Sequence, residues 1–404
     1  MRLDRFRLVA ILAAGQIVGW GTTFDMPGVL GRLIADDLGL SNALAFGGLT
    51  VMMLVGGIAG PWTGRLLDRH GAARVLATGS ATMAAGLALM SVAEGAALYF
   101  ISWVIMGIGG AFGLSVPCNT AVVEREGAGA RRLIGVLMIF TGLSAAVAWP
   151  LWSLLEQAIG WRSAMLVAVA VQVMLCPLYL FALPVRKVVT PEGTAAAAVE
   201  PLALTRRQSR LAFFLIALVT IVFSLVTTGL APSLIALLQM AGASPVLALQ
   251  LGSLRSVLGI SARLVDLAAG RFATPVTSGI VAAALLVGSP LILLFADGRS
   301  SLLFLFIACY GFGSGISALT RALLPLSYFS ASRYAQASAT LSLPSNVAMA
   351  AGPLLVTLAL DHGGVAGVVT YAVALSVLAL AALVWLMVMA WRAPAHRAGA
   401  AVHR

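Results

Sequence analysis

Two ionisable side chains, Asp25 and Arg255, lie deep inside long apolar stretches of this 404-residue sequence. At the centre of a membrane-spanning helix such a side chain costs about 2.5 to 3.5 kcal/mol on insertion scales, so it needs a partner, a cavity or a function. A guanidinium binds carboxylates through paired hydrogen bonds, and a carboxylate can take up a proton. We therefore predict that Arg255 binds an anionic ligand, and that Asp25 takes up a proton or balances Arg255 when no ligand is bound. A permanent structural ion pair between the two is the alternative.

The composition predicts that both residues belong to a membrane protein. Of all positions, 61% are hydrophobic and only 10% are charged, whereas soluble domains are near half apolar and a quarter charged. A spanning helix needs about 20 largely apolar residues. The sequence offers twelve such runs, near residues 8–33, 43–63, 75–93, 96–118, 133–155, 163–183, 211–238, 246–265, 276–295, 301–324, 336–359 and 366–391. Asp25 and Arg255 lie at similar depth, about 10 Å and about 14 Å from the outer ends of their runs at the helical rise.

The net charge of +11 follows the loops, which argues against a nucleic-acid-binding surface. Basic residues concentrate in the loops on the side of the N-terminus, and the opposite side carries Arg32, Arg162 and Arg299. By the positive-inside rule both termini are then cytoplasmic, and the number of spans is even. We expect a multi-pass protein of the plasma membrane, the inner membrane in a bacterium, that contacts the lipid bilayer and binds no nucleic acid.

The stretch around Asp25 recurs 205 residues later, which predicts two pseudo-symmetric halves. The matching positions are Thr22 with Thr227, Thr23 with Thr228 and Pro27 with Pro232. The second copy has Leu230 where the first has Asp25, so the repeated scaffold does not demand the acid. Both prolines should interrupt their spans, as the broken helices at transporter binding sites do. The predicted parts are a six-helix bundle over 1–183, a cytoplasmic linker over 184–210, a second six-helix bundle over 211–391 and a cytoplasmic tail over 392–404.

Small residues indicate where neighbouring spans should pack closely. The fourth span contains Gly109 and Gly113 one turn apart, and the fifth contains the run TGLSAA over 141–146. Such residues let helix backbones approach in lipid, where no hydrophobic effect drives association. We expect both stretches to form helix contacts.

A charged loop between the second and third spans carries a recognisable pattern. It has the form G-x-x-x-D-R-x-G-x-x-R, at positions Gly64, Asp68, Arg69, Gly71 and Arg74. Together with twelve spans and a half-length repeat, this loop resembles the signature of the major facilitator superfamily. The resemblance implies an all-α membrane protein of two six-helix bundles, in which this loop acts as a conformational latch. An echo of the loop at Arg263 and Asp266 implies a structural role in the second half.

In the resembled family, spans one, four, seven and ten line the substrate cavity. Polar residues on these spans that could complete a substrate site are Gln16, Trp20, Asn119, Thr228 and Tyr310. Each has a plainer interpretation as a hydrogen bond between helices, worth about 0.6 kcal/mol. Arg321, near the inner end of the tenth span, is explained by snorkelling of its side chain to the membrane interface.

A second, weaker resemblance bears on the substrate class. Arg255, followed four residues later by Gly259, is similar to the eighth-span arginine of monocarboxylate transporters. The segment around Asp25 falls where that group has Phe-Pro-Lys, but Gly28 replaces the lysine, and Leu251 replaces the acid one turn before the arginine. The resemblance therefore implies an organic anion without carrying over that group's proton relay.

We interpret the chain as a secondary carrier of a small organic anion, working by alternating access with or without a proton. Efflux of drugs or other toxic compounds driven by protons is the alternative, and a receptor or scaffold that transports nothing is a third class. The sequence shows no metal-ligand spacing, phosphate-binding loop or nucleophile–base pair, so we expect neither an enzyme nor a cofactor. We expect a monomer.

Overall fold

The computed structural model describes residues 2–183 and 204–392, which contain helices and no strand. The α-helices are α1 (Arg2–Thr22), α2 (Pro27–Asp37), α3 (Asn42–His70), α4 (Ala72–Ser91), α5 (Ala96–Gly113), α6 (Ser115–Glu126), α7 (Ala130–Pro177), α8 (Arg206–Met240), α9 (Pro245–Ala269), α10 (Pro275–Leu293), α11 (Ser300–Tyr328) and α12 (Ala331–Arg392). Most of the predicted linker and all but the first residue of the predicted tail lie outside the described residues. The all-α class is confirmed.

The part of the predicted linker that is described leads into a helix at Arg206. Thr205 accepts a hydrogen bond from the backbone of Gln208, and the Gln208 side chain accepts one from the backbone of Thr205. This reciprocal capping box starts a helix before the apolar run begins. Residues 206–210, predicted as linker, therefore form the first turn of α8.

Within the described residues, ten helical stretches are long and apolar enough to cross a membrane. Two of them are far longer than one crossing requires. Helix α7 has 48 residues and α12 has 62. At 1.5 Å per residue these lengths correspond to about 72 Å and about 93 Å, against a hydrocarbon core of about 30 Å. Each contains one glycine with a non-helical backbone, Gly160 in α7 and Gly364 in α12.

The contacts of α7 show that the chain turns back at Gly160. Ser144, before the glycine, donates a hydrogen bond to Asp25, and Gln172, after it, donates one to Thr22. Ser144 and Gln172 are 28 positions apart, which would be about 42 Å on one straight helix. Their partners are only three positions apart. We infer that α7 consists of two spans.

The same reasoning applies to α12. The hydroxyl groups of Ser345 and Ser224 are 3.2 Å apart, and the Tyr371 hydroxyl donates to the carbonyl of Leu225 at 3.4 Å. Ser345 and Tyr371 are 26 positions apart on either side of Gly364, yet their partners are neighbours on α8. Division of α7 and α12 at their glycines would turn the ten stretches of the described residues into twelve, and the count of twelve spans stays a prediction.

The helices group into two compact units. One unit contains the described residues of 1–199 together with 331–343, and the other contains those of 200–330 and 344–404. The two copies of the sequence repeat thus belong to different units. Helix α12 contributes its first turns to one unit and the rest to the other.

The first span is broken where the sequence predicted. Helix α1 ends at Thr22 and α2 begins at Pro27, and the residues between them are not helical. The corresponding prediction for Pro232 was wrong, because this proline lies inside the continuous helix α8. A single proline removes only its own hydrogen bond to the preceding turn. The second copy carries the fully buried Leu230 in place of Asp25.

Close packing occurs at the predicted small residues of the fourth span. A Cβ atom added to Gly109 would lie 2.7 Å from the Met83 backbone nitrogen, and one added to Gly79 would lie 2.6 Å from Gly113 Cα. Carbon atoms in contact are normally about 3.5–4.0 Å apart. Helices α4 and α5 therefore touch backbone to backbone, as the glycine pair predicted.

Candidate functional site

Asp25 occupies the break in the first span, and backbone hydrogen bonds hold the break in a defined turn. The Asp25 N–H donates to the Trp20 carbonyl at 3.0 Å, and the Thr23 N–H donates to the same carbonyl at 3.3 Å. The Asp25 carbonyl accepts from the Gly28 N–H at 3.1 Å. The acid is thus presented from an irregular segment of backbone within a membrane span. Such segments are tolerated only where protein or a watery cavity satisfies the freed groups.

Helix α7 supplies three hydrogen-bond donors to this segment, one to the acid and two to backbone carbonyls. The Ser144 hydroxyl donates to Asp25 Oδ2 at 2.6 Å. The indole N–H of Trp149 donates to the Asp25 carbonyl at 3.1 Å, and that of Trp152 donates to the Gly21 carbonyl at 2.9 Å. The sequence indicated only close packing for the segment containing Ser144. Its role as a donor to the acid was missed, because a serine among small residues gives no sign of its partner.

Two predicted site residues of α1 contact one another one turn before the break. The Trp20 indole N–H donates to Gln16 Oε1 at 3.2 Å, and the Ser115 hydroxyl lies 3.5 Å from the same oxygen. The amide nitrogen of Gln16 is buried and has no hydrogen-bond partner within the described chain. Asn119, on α6, is also buried. Gln16 therefore keeps an unused donor on the last turns of α1, and Trp20 is the residue that orients it.

Arg255 and Tyr310 are brought together in the other unit. The guanidinium carbon of Arg255 lies 5.4 Å from the centre of the Tyr310 ring, within the range of a cation–π interaction. The Arg255 Nε atom is buried and makes no hydrogen bond to the described residues. The guanidinium is thus positioned by the ring while a buried donor stays available.

Glycines bring the two helices that carry this pair close enough for the contact. A Cβ atom on Gly311 of α11 would lie 2.8 Å from Leu258 Cβ and 3.2 Å from the Arg255 carbonyl oxygen on α9. A Cβ atom on Gly315 would lie 2.9 Å from Gly259 Cα. Because neither position has a side chain, the backbones of α9 and α11 meet directly. Arg255 then reaches the Tyr310 ring from one turn before the crossing.

The hydroxyl groups of Tyr310 and Thr228 donate hydrogen bonds to backbone carbonyls of α8, in the same unit. The Tyr310 hydroxyl donates to the Thr227 carbonyl at 3.1 Å, and its ring stacks on Phe306 at 5.8 Å. The Thr228 hydroxyl donates to the Ser224 carbonyl at 2.6 Å, one turn back on its own helix. Thr228 thus makes the ordinary back-bond of a helical threonine. Asp25 and Arg255 belong to different compact units, and their pairing stays a prediction.

The loop pattern of the first unit lies where α3 meets α4. Gly71 joins these helices with a φ of 75°, a conformation that glycine adopts without strain. The first backbone N–H of α4, on Ala72, donates to both carboxylate oxygens of Glu124 at 3.2 and 3.3 Å. The sequence missed Glu124, which lies 52 residues away from the helix end that it caps. Asp68 and Arg69 lie exposed in the last turn of α3, Gly64 is buried, and Arg74 is exposed on α4.

The echo of this loop in the second unit lies on α9. Asp266 accepts a hydrogen bond from the Ser278 hydroxyl of α10. Arg263 lies near enough to Arg255 for the two positive charges to repel one another. Within the described residues, no group of three or more histidine, cysteine or acidic side chains could hold a metal ion.

Comparison with known proteins decides the family. The sequence model described as Major Facilitator Superfamily matches residues 11–320. The chain belongs to the major facilitator superfamily. No curated protein matches it significantly.

Solved members of this superfamily share the fold at low sequence identity. The human organic anion transporter MFSD10 (TETRAN) is 19% identical with a TM-score of 0.72, and the match covers 94% of this chain and 99% of that one. The E. coli fucose:proton symporter FucP is 14% identical with a TM-score of 0.65, covering 94% of this chain and 98% of that one. The chain is thus a multi-pass membrane transporter by family and fold.

Proposed function

We propose that this transporter is a secondary carrier that moves a small organic anion by alternating access and couples its movement to a proton. Arg255 contacts the anionic group, and Asp25 takes up the proton. Gln16, Trp20, Asn119, Thr228 and Tyr310 line or orient the substrate site, and the loop between α3 and α4 is a conformational latch. The basic loops favour the plasma membrane with both termini in the cytoplasm.

The observation that supports the anion proposal is that Arg255 is a buried cation with an unused hydrogen-bond donor. A guanidinium has five N–H donors and no acceptor. Among the described residues, one of those donors, Nε, is buried and has no hydrogen-bond partner, and the guanidinium lies over an aromatic ring. A buried cation in a span is costly unless something compensates it. A substrate carboxylate would supply both the compensating charge and the missing acceptors.

Two further facts support the proposal. Asp25 occupies a helix break that the second copy of the repeat lacks, which favours a function particular to the first unit. The fold is shared with a protein described as an organic anion transporter and with one described as a proton symporter.

The anion role is tested with Arg255→Gln and Arg255→Lys in purified protein. A panel of carboxylates, sugars and lipophilic cations is screened by thermal shift, since a ligand that binds the folded state raises the apparent stability. We expect carboxylates to raise the melting temperature of the wild type but not of Arg255→Gln. Arg299→Gln is the matched control, because Arg299 is exposed at the start of α11 and should leave the shift unchanged. Hits confined to lipophilic cations would overturn the anion proposal and favour drug efflux.

The proton role is tested with Asp25→Asn in liposomes loaded with a carboxylate hit from the screen. Exchange of labelled for unlabelled substrate needs no net proton movement, whereas accumulation against a gradient does. We expect Asp25→Asn to retain exchange and to lose accumulation driven by a pH gradient. Accumulation by the variant at the wild-type level would contradict the role of Asp25. A lack of exchange by the wild type for every solute in the panel would favour a scaffold over a carrier.

A further inference from the structure

Arg321 does not reach for the membrane interface. Snorkelling was the wrong interpretation, because its Nη1 atom donates a hydrogen bond at 2.7 Å to the hydroxyl of Ser224 on α8, which is fully buried. The Nε atom of Arg321 is itself buried and has no hydrogen-bond partner among the described residues. A second guanidinium in the same unit as Arg255 therefore points inward with a donor unused.

Two serines extend this cluster from Arg321 onto a third helix. The hydroxyl oxygens of Ser224 and Ser345 are 3.2 Å apart. Each hydroxyl carries one hydrogen, and the Ser224 oxygen already accepts from Arg321. The single hydrogen bond between the serines uses one of their two hydrogens. The remaining hydrogen, on one serine or the other, is left to be donated to something else.

The charges around Arg321 add to this set of donors. Arg263 lies close enough to Arg321 for their positive charges to repel one another. In the interior of a membrane protein such repulsion is screened less than in water. Arginine N–H groups and serine hydroxyls together form the donor set that binds a carboxylate.

This cluster adjoins the Arg255 site but uses a different arginine. The Tyr310 hydroxyl donates to the Thr227 carbonyl, and Arg321 donates to the Ser224 hydroxyl. Thr227 and Ser224 are three positions apart on α8, a rise of about 4.5 Å. The Arg321 cluster therefore lies about one turn of α8 from the Tyr310 hydroxyl.

We infer that Arg321, Ser224 and Ser345 form a second anion-binding site, which holds a carboxylate-bearing solute nearer the Ala269 end of α9 than Arg255 does. The inference rests on the proposed function for the class of solute. A purely structural strut between α8 and α11 would use the bond to Ser224. It would have no need of the second serine.

The test uses the whole wild-type protein and an arginine-selective reagent, phenylglyoxal, with labelling of each arginine followed by mass spectrometry. The probes are acetate, L-lactate, benzoate and succinate. A probe at ten times its Kd should slow labelling of a residue in its binding site about tenfold by mass action. We expect one or more probes to protect Arg321 and Arg255, and none to protect the exposed Arg299.

The outcomes separate the two proposals. Protection of Arg321 without protection of Arg255 supports the second site and contradicts the Arg255 site. Protection of Arg255 alone overturns the second site. Failure of Arg321 to react even without probe also overturns it, because a site closed to phenylglyoxal is closed to benzoate.

A variant gives an independent readout in the same assay. Ser345→Ala removes one hydroxyl of the cluster without touching Arg321, so it should weaken protection of Arg321 several-fold and leave protection of Arg255 unchanged. Wild-type protection of Arg321 in this variant would remove Ser345 from the site. If the Arg321–Ser224 bond is purely structural, no probe should slow the labelling of Arg321.

Discussion

Replacement of Gly315 by alanine should separate the two helices that place Arg255. The added Cβ would lie 2.9 Å from Gly259 Cα and would also meet the Gly259 carbonyl oxygen. The tightest contact is with that oxygen, which would lie closer still than the Cα atom. Because non-bonded atoms need more than about 3 Å, the α9 and α11 backbones must move apart by about 1 Å or more. Backbone atoms cannot rotate away as a flexible side chain could.

The cost follows from two opposing contributions. Overpacking of this kind destabilises by about 1–3 kcal/mol. Alanine in a helix interior is favoured over glycine by about 0.5–1 kcal/mol. The contact with the Gly259 carbonyl oxygen is so close that we expect the upper half of the overpacking range, and a net loss of about 1–2.5 kcal/mol for Gly315→Ala. Arg255 should also move relative to Tyr310, which weakens binding of the anion.

Gly259→Ala is a control at the same helix crossing. Its Cβ would meet its nearest neighbour, the Gly311 carbonyl oxygen, at 3.6 Å, an ordinary contact. We expect this variant to be as stable as the wild type or more stable, by up to about 1 kcal/mol. The two variants make the same chemical change on opposite sides of one contact, yet they should differ in sign.

The assay compares apparent melting temperatures in one detergent at one heating rate, followed by the thermal shift that a bound carboxylate produces. The fixed rate matters because unfolding of such proteins is often irreversible. We expect Gly315→Ala to melt several degrees below Gly259→Ala and to show a smaller shift with ligand. If Gly315→Ala melts at or above the wild-type temperature, the close approach of α9 and α11 is refuted.

Two further predictions concern the first unit. Trp152→Phe should lower stability by about 1–3 kcal/mol, because the buried indole donates to the Gly21 carbonyl. Trp149→Phe should cost less, because the Asp25 carbonyl that it leaves still accepts from the Gly28 N–H. Equal melting temperatures for the two variants would contradict this. Asp37→Asn should change stability by less than about 1 kcal/mol, since its ion pair with Arg162 joins side chains that are 42% and 41% exposed. Arg162→Ala should lower stability more, because Arg162 also donates to the Ala93 carbonyl between α4 and α5. A lower melting temperature for Asp37→Asn than for Arg162→Ala would contradict this.

The sequence predicted the helices and the positions of the unusual residues well. Apolar runs, small-residue pairs and one proline are local signals, and each of them reports on the helix that contains it. The break at Pro27 and the packing of Gly109 and Gly113 were therefore found in advance. The two turning points at Gly160 and Gly364 also fall between predicted spans.

The partners of those residues could not be predicted in the same way. Asp25 meets Ser144, which is 119 residues away, and nothing near either residue specifies the other. By its position alone, the Arg321 side chain could extend to the membrane interface or into the unit, and only the location of Ser224 shows that it points into the unit. The repeat also misled at Pro232, since matched sequence did not mean matched backbone when the neighbouring acid was replaced by leucine.

The single-glycine connections at Gly160 and Gly364 have a practical consequence for protein engineering. Insertions succeed in exposed loops that have residues to spare, and these two connections have only one non-helical residue each. An epitope or fluorescent tag placed there would have to unwind a helix end on both sides. Antibody fragments raised to aid structure determination would likewise find no extended loop to bind at these two connections. Tags are better fused to the chain ends, where added residues need not fit between two spans.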